Sequence, residues 1–388
     1  MRPLVSLVMI VKDEAASMAG VLDAALPFVD RWTILDTGST DGTQDIIRDV
    51  AVKHGKPGKL FEEPFVDFAT SRNRVMDLDA NWDGEACVSA LFQLMVSADE
   101  YLEGGDALRA HLEQHRESNV DCHMVRVTVE GQATALSPRI TRTGSLWRYV
   151  GVVHETPTHP DPQAPVDIAR GAMLRHVVSD HNRRIQNIAD RHIPLLEEEL
   201  NRNPRDERTL VFLAQSYAAI MPYVEPEERV TLAMQAMSMY MRRLNIPTGT
   251  AAERNYCMEQ FLDAARVAQI YTPQELYERV HRQAEVDPHR PGLALLHALT
   301  AAAANVDLRT VYKLARLAIE VAIAAQSIDN VSVVDVGCVW RAQEFAAHIA
   351  KLIAERSPKD RWQGMLYADL ANEHERDARH AKQQVGAN

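Results

Sequence analysis

Hydrophobic and polar positions fall into two periods along the first 180 residues. Leu4 to Val11 is a continuous apolar, β-branched run that reads as a buried strand. Ser17 to Val29 follows with Met18, Val21, Leu22 and Leu26 at helical spacing. A second apolar run, Trp32 to Leu35, leads through Asp36-Thr37-Gly38-Ser39-Thr40-Asp41-Gly42-Thr43 into a helix holding Ile46, Ile47 and Val50. Leu91 to Val96, Cys122 to Val129 and Tyr149 to Val153 read as further strands, with a helix from Ala107 to His115 between the first two. This alternation predicts a Rossmann-like, mostly parallel α/β sheet whose ligands lie beyond the carboxyl ends of its strands. The loops after Val11, Leu35 and Val96 are expected to face one cleft.

From about Asn182 the pattern changes. Strand-like runs vanish and Ala and Leu dominate, with Asn203-Pro204-Arg205-Asp206 and Asp287-Pro288-His289-Arg290 as punctuation. Arg208 to Ala219 carries Leu210, Leu213, Ala214 and Tyr217 at helical spacing, and Glu227 to Leu244 carries Leu232, Ala233, Ala236, Met237 and Tyr240. Paired amphipathic helices with small residues at their crossings predict an all-α helical-repeat domain. The expected boundaries are 1–180 and 181–388. Pro157 to Pro165, with four prolines, is expected to be an exposed loop at the edge of the first domain, either a connector or a cover over a site.

A length of 388 residues accommodates two or three domains, and 46% apolar with 25% charged residues is an ordinary globular composition. The net charge of −12 gives no global basic excess for holding a polyanion. Residues 1 to 180 carry 17 Lys plus Arg against 27 Asp plus Glu, whereas the remainder carries 25 against 27, so the acidity sits in the first domain. Arg2 before the apolar opening imitates a leader peptide, but the run ends on Lys12-Asp13-Glu14 where a cleavage region is small and neutral. The alanine-rich stretches near Leu293 and Leu314 are interrupted by charge, so no membrane span is expected. Cys87, Cys122, Cys257 and Cys338 lack metal-site spacing and read as reduced core residues of a cytoplasmic protein.

Three segments offer chemistry. The Asp36 to Thr43 turn can present Asp36 at a strand end and cap the next helix through Thr40 or Asp41; capping alone is the simpler role. Ser97-Ala98-Asp99-Glu100 follows a buried strand, and carboxylates there suit Mg²⁺ or Mn²⁺; the alternative for Asp99 is the N-cap of the Leu108 helix. Val152-Val153-His154-Glu155 adds an imidazole that could join Asp99 on the metal. His154 and His159 are five apart with Pro157 between them, which excludes the zinc-protease helix motif. No Gly-x-x-x-x-Gly-Lys-Ser/Thr loop and no Gly-x-Gly-x-x-Gly fingerprint occurs, which weakens P-loop, kinase and dehydrogenase readings.

Taken in order, Lys12-Asp13-Glu14, the Asp36 to Thr43 turn, Arg72-Asn73, Ala98-Asp99-Glu100-Tyr101-Leu102 and the Trp147 to Glu155 stretch resemble the glycosyltransferase family 2 type, a GT-A fold. The resemblance covers residues 4 to about 180 and extends to bacterial and phage members that append tetratricopeptide-like helices. It implies transfer of a sugar from a nucleotide-diphosphate donor, usually UDP-linked, with Mn²⁺ or Mg²⁺ on the diphosphate. By this resemblance Glu14 and Asp36 contact the nucleoside, Arg72 and Asn73 the base or phosphates, and Asp99 and His154 the metal. Ser97 stands where the family usually has the first aspartate of Asp-x-Asp, a departure that bears on donor affinity and identity.

An inverting transfer needs a general base within about 2.6 to 3.2 Å of the acceptor proton. Glu155 is the candidate, with a salt bridge to Arg139 or Arg148 as its structural alternative. The helical half favours a macromolecular acceptor, a peptide or protein side chain, with hydroxymethylated phage DNA as a second possibility. Arg183, Arg184, Arg191, Arg202, Arg205 and Arg208 are the residues that could form a basic strip for it. The competing function is a degenerate transferase in which the helices hold a peptide or partner protein.

Overall fold

The computed structural model describes residues 2–81, 89–129, 134–177, 181–326, 338–356 and 361–384. Two compact units emerge, one holding Met1–Glu130 and Thr134–His181, the other Asn182–Asn388.

The first unit is built on β1 (Val5–Val11), β2 (Arg31–Asp36), β3 (Gly58–Glu62), β4 (Phe92–Met95), β5 (Glu100–Glu103), β6 (Cys122–Val129), β7 (Thr134–Arg142) and β10 (Val166–His176). They form one sheet in the order β3-β2-β1-β4-β7-β6-β10-β5. The four strands from β3 to β4 are parallel, β7 is antiparallel to both its neighbours, β6 and β10 are parallel, and β5 is antiparallel at the edge. β8 (Arg148–Val150) and β9 (Thr156–Thr158) make a separate hairpin. The α/β unit followed by an all-α region is thus the observed architecture.

Alternation along β1 divides the core. Val5, Leu7, Met9 and Val11 face α1 (Ala15–Ala25) and α2 (Thr43–His54), packing with Met18, Leu22, Ile34 and Ile47. Val8 points the other way, into a cluster with Leu35, Met95 and Tyr149 and with Val75 and Met76 of α3 (Phe68–Ala80). Each such fully buried side chain contributes roughly 1.5–3 kcal/mol. α3 also delivers Asp79, fully buried, which accepts from Ser6 Oγ at 2.6 Å, Thr33 Oγ1 at 2.8 Å, Arg31 Nη2 at 3.0 Å and Gln93 Nε2 at 2.9 Å. This polar hub ties β1, β2 and β4 to α3.

Several strands carry no continuous apolar run. β7 contains Arg139 and Pro138, the proline lying where the register against β6 is irregular. β10 interleaves Asp167, Arg170 and Arg175 with its apolar residues. Glu100–Glu103 is a strand, and α4 (Gly105–Gln114) is preceded by Gly104 at φ +72°, so Asp99 is not its N-cap. Within the proline-rich segment Thr156–Thr158 pairs with β8 and Pro157 is buried, whereas 159–165 is irregular and largely exposed.

The second unit runs from α5 (His181–Asn187) through a π turn (Ile188–His192) into α6 (Ile193–Arg202). Then come α7 (Glu207–Ile220), α8 (Pro226–Leu244), α9 (Ala251–Val267), α10 (Pro273–Val286), α11 (Pro291–Ala303), α12 (Leu308–Gln326), α13 (Cys338–Arg356) and α14 (Arg361–Gln384). From α6 to α12 each helix packs on the next, as do α13 and α14. Their starts are written in the sequence: Asp206 accepts from Thr209 N at 2.7 Å, and Thr250 and Thr272 form capping boxes with Glu253 and Glu275. Cys122, Cys257 and Cys338 are buried, as expected of core residues, while Cys87 lies outside the described residues. Among the described residues no helix is long and apolar enough to cross a membrane.

Candidate active site at the carboxyl edge of the sheet

β2, β1 and β4 are adjacent and parallel, so the loops after Asp36, Val11 and Met95 leave from one edge of the sheet. The chain order reverses between β1 and β4, which makes this edge a topological switch point.

The first two loops are stitched together. Thr37 donates through N and Oγ1 to Val11 O at 2.9 and 3.0 Å. Asp13, with φ +54°, donates from N to Ser39 Oγ at 2.9 Å and accepts from Thr40 N at 2.8 Å. Glu14 N donates to Thr43 Oγ1 at 2.8 Å and Ala15 N to Asp41 Oδ2 at 2.9 Å. Asp41 also accepts from Thr43 N, just ahead of Gly42, the N-cap of α2. Asp36 is fully buried; its Oδ1 accepts from Gly38 N at 2.8 Å and Ser39 N at 2.7 Å, a turn that Gly38 permits at φ +105°. Its Oδ2 is buried without a hydrogen-bond partner.

A second group centres on Arg72, buried on α3. Its Nε donates to Glu155 Oε1, its Nη2 lies 3.4 Å from Ser97 Oγ, and its Cζ stands 5.5 Å from the centre of the Tyr149 ring. Nη1 is buried without a hydrogen-bond partner. Burial works against the Arg72 charge, but Glu155, Tyr149 and Glu100 together more than offset it and hold the guanidinium above its ordinary pKa. Arg72, Ser97 and Glu155 are therefore brought together from α3, the β4 loop and the segment after β8. Arg139 and Arg148, the partners expected for Glu155, bond instead to Glu100 and Asp77. Asn73 clasps the β8 backbone, donating from Nδ2 to Tyr149 O at 2.8 Å and accepting from Tyr149 N at 2.9 Å.

Asp99 is half-buried and meets His176 Nε2 at 3.0 Å through Oδ2. Burial tends to raise the Asp99 carboxyl; the His176 hydrogen bond and charge more than offset this and hold it below the usual range. His154 is exposed and holds φ +54°, an uncommon conformation for a residue with a Cβ. Little in the sequence marks His176, an imidazole closing β10, a strand of mixed polarity.

In the second unit a groove of about 540 Å³ is lined by Glu207, Val211, Phe212, Arg243, Tyr256 and others. Of the arginines proposed as a basic strip, Arg202 pairs with Glu198, and Arg208 lies over the Phe212 ring. The Arg183 side chain is outside the described residues.

No protein-family model and no curated protein matches the chain. Among solved structures, residues 1–349 of S. aureus TarS in complex with UDP are 12% identical, covering 85% of this chain and 95% of that one, with a TM-score of 0.36. The MamA protein is 12% identical over 53% of this chain and 88% of its own, with a TM-score of 0.32. Glucosyl-3-phosphoglycerate synthase from Mycobacterium tuberculosis, in complex with Mn²⁺, UDP and glucosyl-3-phosphoglycerate, is 16% identical over 33% of this chain and 45% of its own, with a TM-score of 0.24.

Proposed function

We propose that the first unit is a metal-dependent, GT-A-type glycosyltransferase that moves a sugar from a nucleotide-diphosphate donor, expected to be a UDP-sugar, to a macromolecular acceptor. One observation carries the reading: three of the segments that resemble the family's donor motifs, those after β1, β2 and β4, leave the same edge of the sheet at its switch point. In this reading Glu14 and Asp36 face the nucleoside. A ribose or base donor would satisfy the buried Asp36 Oδ2, and a phosphate oxygen would satisfy Arg72 Nη1. Asn73 acts by holding β8 and with it the segment that carries His154 and Glu155.

A half-buried carboxylate and an exposed imidazole suit a divalent cation, so Asp99 and His154 are the proposed ligands. When bound, the cation would neutralise charge on the leaving diphosphate. The chain's own residues do the remainder. Arg72 adds a fixed positive charge beside Ser97, and Glu155 both holds Arg72 and is the proposed base toward the acceptor. The proposed acceptor is a peptide or protein side chain, with a hydroxymethylated base as the alternative; a helical-repeat unit, of a kind that commonly holds extended ligands, supports a macromolecular acceptor.

A screen of nucleotide sugars with Mn²⁺ or Mg²⁺, read as released nucleotide diphosphate and as a rise in melting temperature, tests this before any acceptor is known. Donor turnover that depends on metal in the parent protein and loses that dependence in Asp99→Ala supports it. If no donor with either metal releases diphosphate or shifts the melting temperature, the transferase reading fails. A protein that retains peptide binding in the second unit would then favour the binding role.

A further inference from the structure

At the far side of the same sheet, four side chains with metal-ligating atoms converge. His111 lies on the last turn of α4 and His115 caps it, so the two share a face at i and i+4. His123 is the second residue of β6, and Asp167, the second residue of β10, is its register partner. One ligand atom from each residue falls within 4.8 Å of those from all the others. His111 Nε2 is 3.0 Å from His123 Nδ1, and His115 Nε2 is 3.1 Å from Asp167 Oδ2.

The contacts within this cluster place positive charge, a proton or a metal ion, between its members. His115 Nδ1 lies 2.8 Å from His111 O, which only accepts, so Nδ1 carries the ring proton. In the neutral ring Nε2 then presents a lone pair to the Asp167 carboxylate. That contact is favourable only with a positive charge between the two. His111 Nε2 and His123 Nδ1 face each other around a single proton, whose place a metal ion can take. His123 is fully buried, and its Nε2 has no hydrogen-bond partner.

The spacing matches a metal centre. Four donors about 2.0–2.1 Å from a tetrahedral Zn²⁺ stand about 3.3 Å apart, which puts imidazole centres about 5 Å apart. Here the three ring centres are separated by 4.4, 4.9 and 4.9 Å. The bond from His115 Nδ1 to a main-chain carbonyl is the outer-shell contact that orients a ligating histidine.

We propose that His111, His115, His123 and Asp167 form a structural site for a borderline divalent cation of the Zn²⁺ type. Three imidazoles and a carboxylate favour such an ion over Mg²⁺ or Ca²⁺, and four protein ligands leave no open position for substrate. The ion would pin the end of α4 to the starts of β6 and β10. Asp167, about half exposed, provides the entry side. β6 and β10 run parallel to β4, so their amino ends face away from the edge that carries Asp36 and Asp99. The site is thus separate from the proposed donor metal and does not depend on the transferase reading.

The full chain, stripped with a chelator and titrated with Co²⁺ and then Zn²⁺, tests it. The expected result is the intense visible spectrum of four-coordinate cobalt at about one ion per chain, lost on adding zinc, with a higher melting temperature for the loaded protein. Asp167→Asn and His115→Ala, both changing partly exposed residues, should each weaken binding at least about tenfold. Asp99→Ala should leave the spectrum unchanged. A parent protein without four-coordinate cobalt, binding unaffected by both ligand variants, or loss of the spectrum in Asp99→Ala would each overturn the proposal, leaving His115 and Asp167 as a metal-free ion pair.

Discussion

Replacing Asp79 with alanine removes the acceptor at the centre of the buried hub. Arg31 is 2% exposed and loses the Asp79 carboxylate, while its bond from Nη2 to the main-chain carbonyl of residue 79 at 2.6 Å is kept. Gln93 retains Met76 O at 2.7 Å, while the hydroxyls of Ser6 and Thr33 lose their acceptor. Stranding one member of a buried ion pair costs about 3–5 kcal/mol. Because the arginine keeps a carbonyl, we expect a value near 3. Against a total stability of roughly 5–15 kcal/mol the variant should still fold. Hydrogen exchange followed by mass spectrometry separates the two units, which a single melting curve would not. Peptides from β1, β2 and β4 should exchange roughly 150-fold faster, while those from α7 to α9 keep their parental rates. Asp79→Asn, which preserves an acceptor but no charge, should fall between parent and alanine. Protection of β1 and β2 in Asp79→Ala within about fivefold of the parent would refute the reasoning, as would an equal loss in the helical unit.

Gly104 sits at φ +72°, where an added Cβ would lie 2.0 Å from Gly171 O; Gly104→Ala should lose more than the roughly 1–3 kcal/mol that a left-handed residue costs, read as faster exchange in α4 and β10. Thr250→Ala removes a capping box and should destabilise α9 by about 1 kcal/mol, measurable from exchange at its first turn. His297 of α11, mostly buried beside His281, is pushed down by desolvation, and further by the His281 charge, to about 4 from an unfolded value near 6.5. Its folded-state value being depressed, its contribution is complete above about pH 6.5 and is lost as pH falls toward 4, by roughly 3 kcal/mol. His297→Phe should flatten that part of the pH profile of α11 exchange; an unchanged profile would show that another group titrates.

Elements that carry an unbroken run or a regular apolar stripe were legible from the chain. β1, β2, β4 and β6 coincide with apolar runs within a residue or two, and α7 and α8 with their periodic stripes, because each buries one pattern against one neighbour. β7 and β10 were not legible, since their stability comes from pairing with β6 rather than from an apolar run, and Pro138 and Arg170 obscure what alternation they have. At the candidate site, the shared edge of the loops after β1, β2 and β4 follows from parallel order alone. The partner of Glu155 does not: Arg72 lies 83 residues earlier and meets it where the neighbouring Asn73 clasps β8. The histidine cluster left a trace in the His111 and His115 spacing, but its other half depends on β6 and β10 being neighbours.

The stitching of the Asp13–Ala15 segment to the Ser39–Thr43 turn bears on how a ligand would be received at that edge. Main-chain amides that a free loop would have to arrange during association are already fixed by side chains of the opposite loop. A nucleotide settling there would give up its own freedom but freeze little of the protein's, so calorimetry should find a modest entropic penalty and an on-rate set by diffusion and charge rather than by loop closure. Ser39→Ala or Asp41→Ala would then slow association and raise the entropic cost while leaving in place every group proposed to touch the ligand. In this sense the hydroxyl-rich turn acts before binding, as the frame that makes the edge ready.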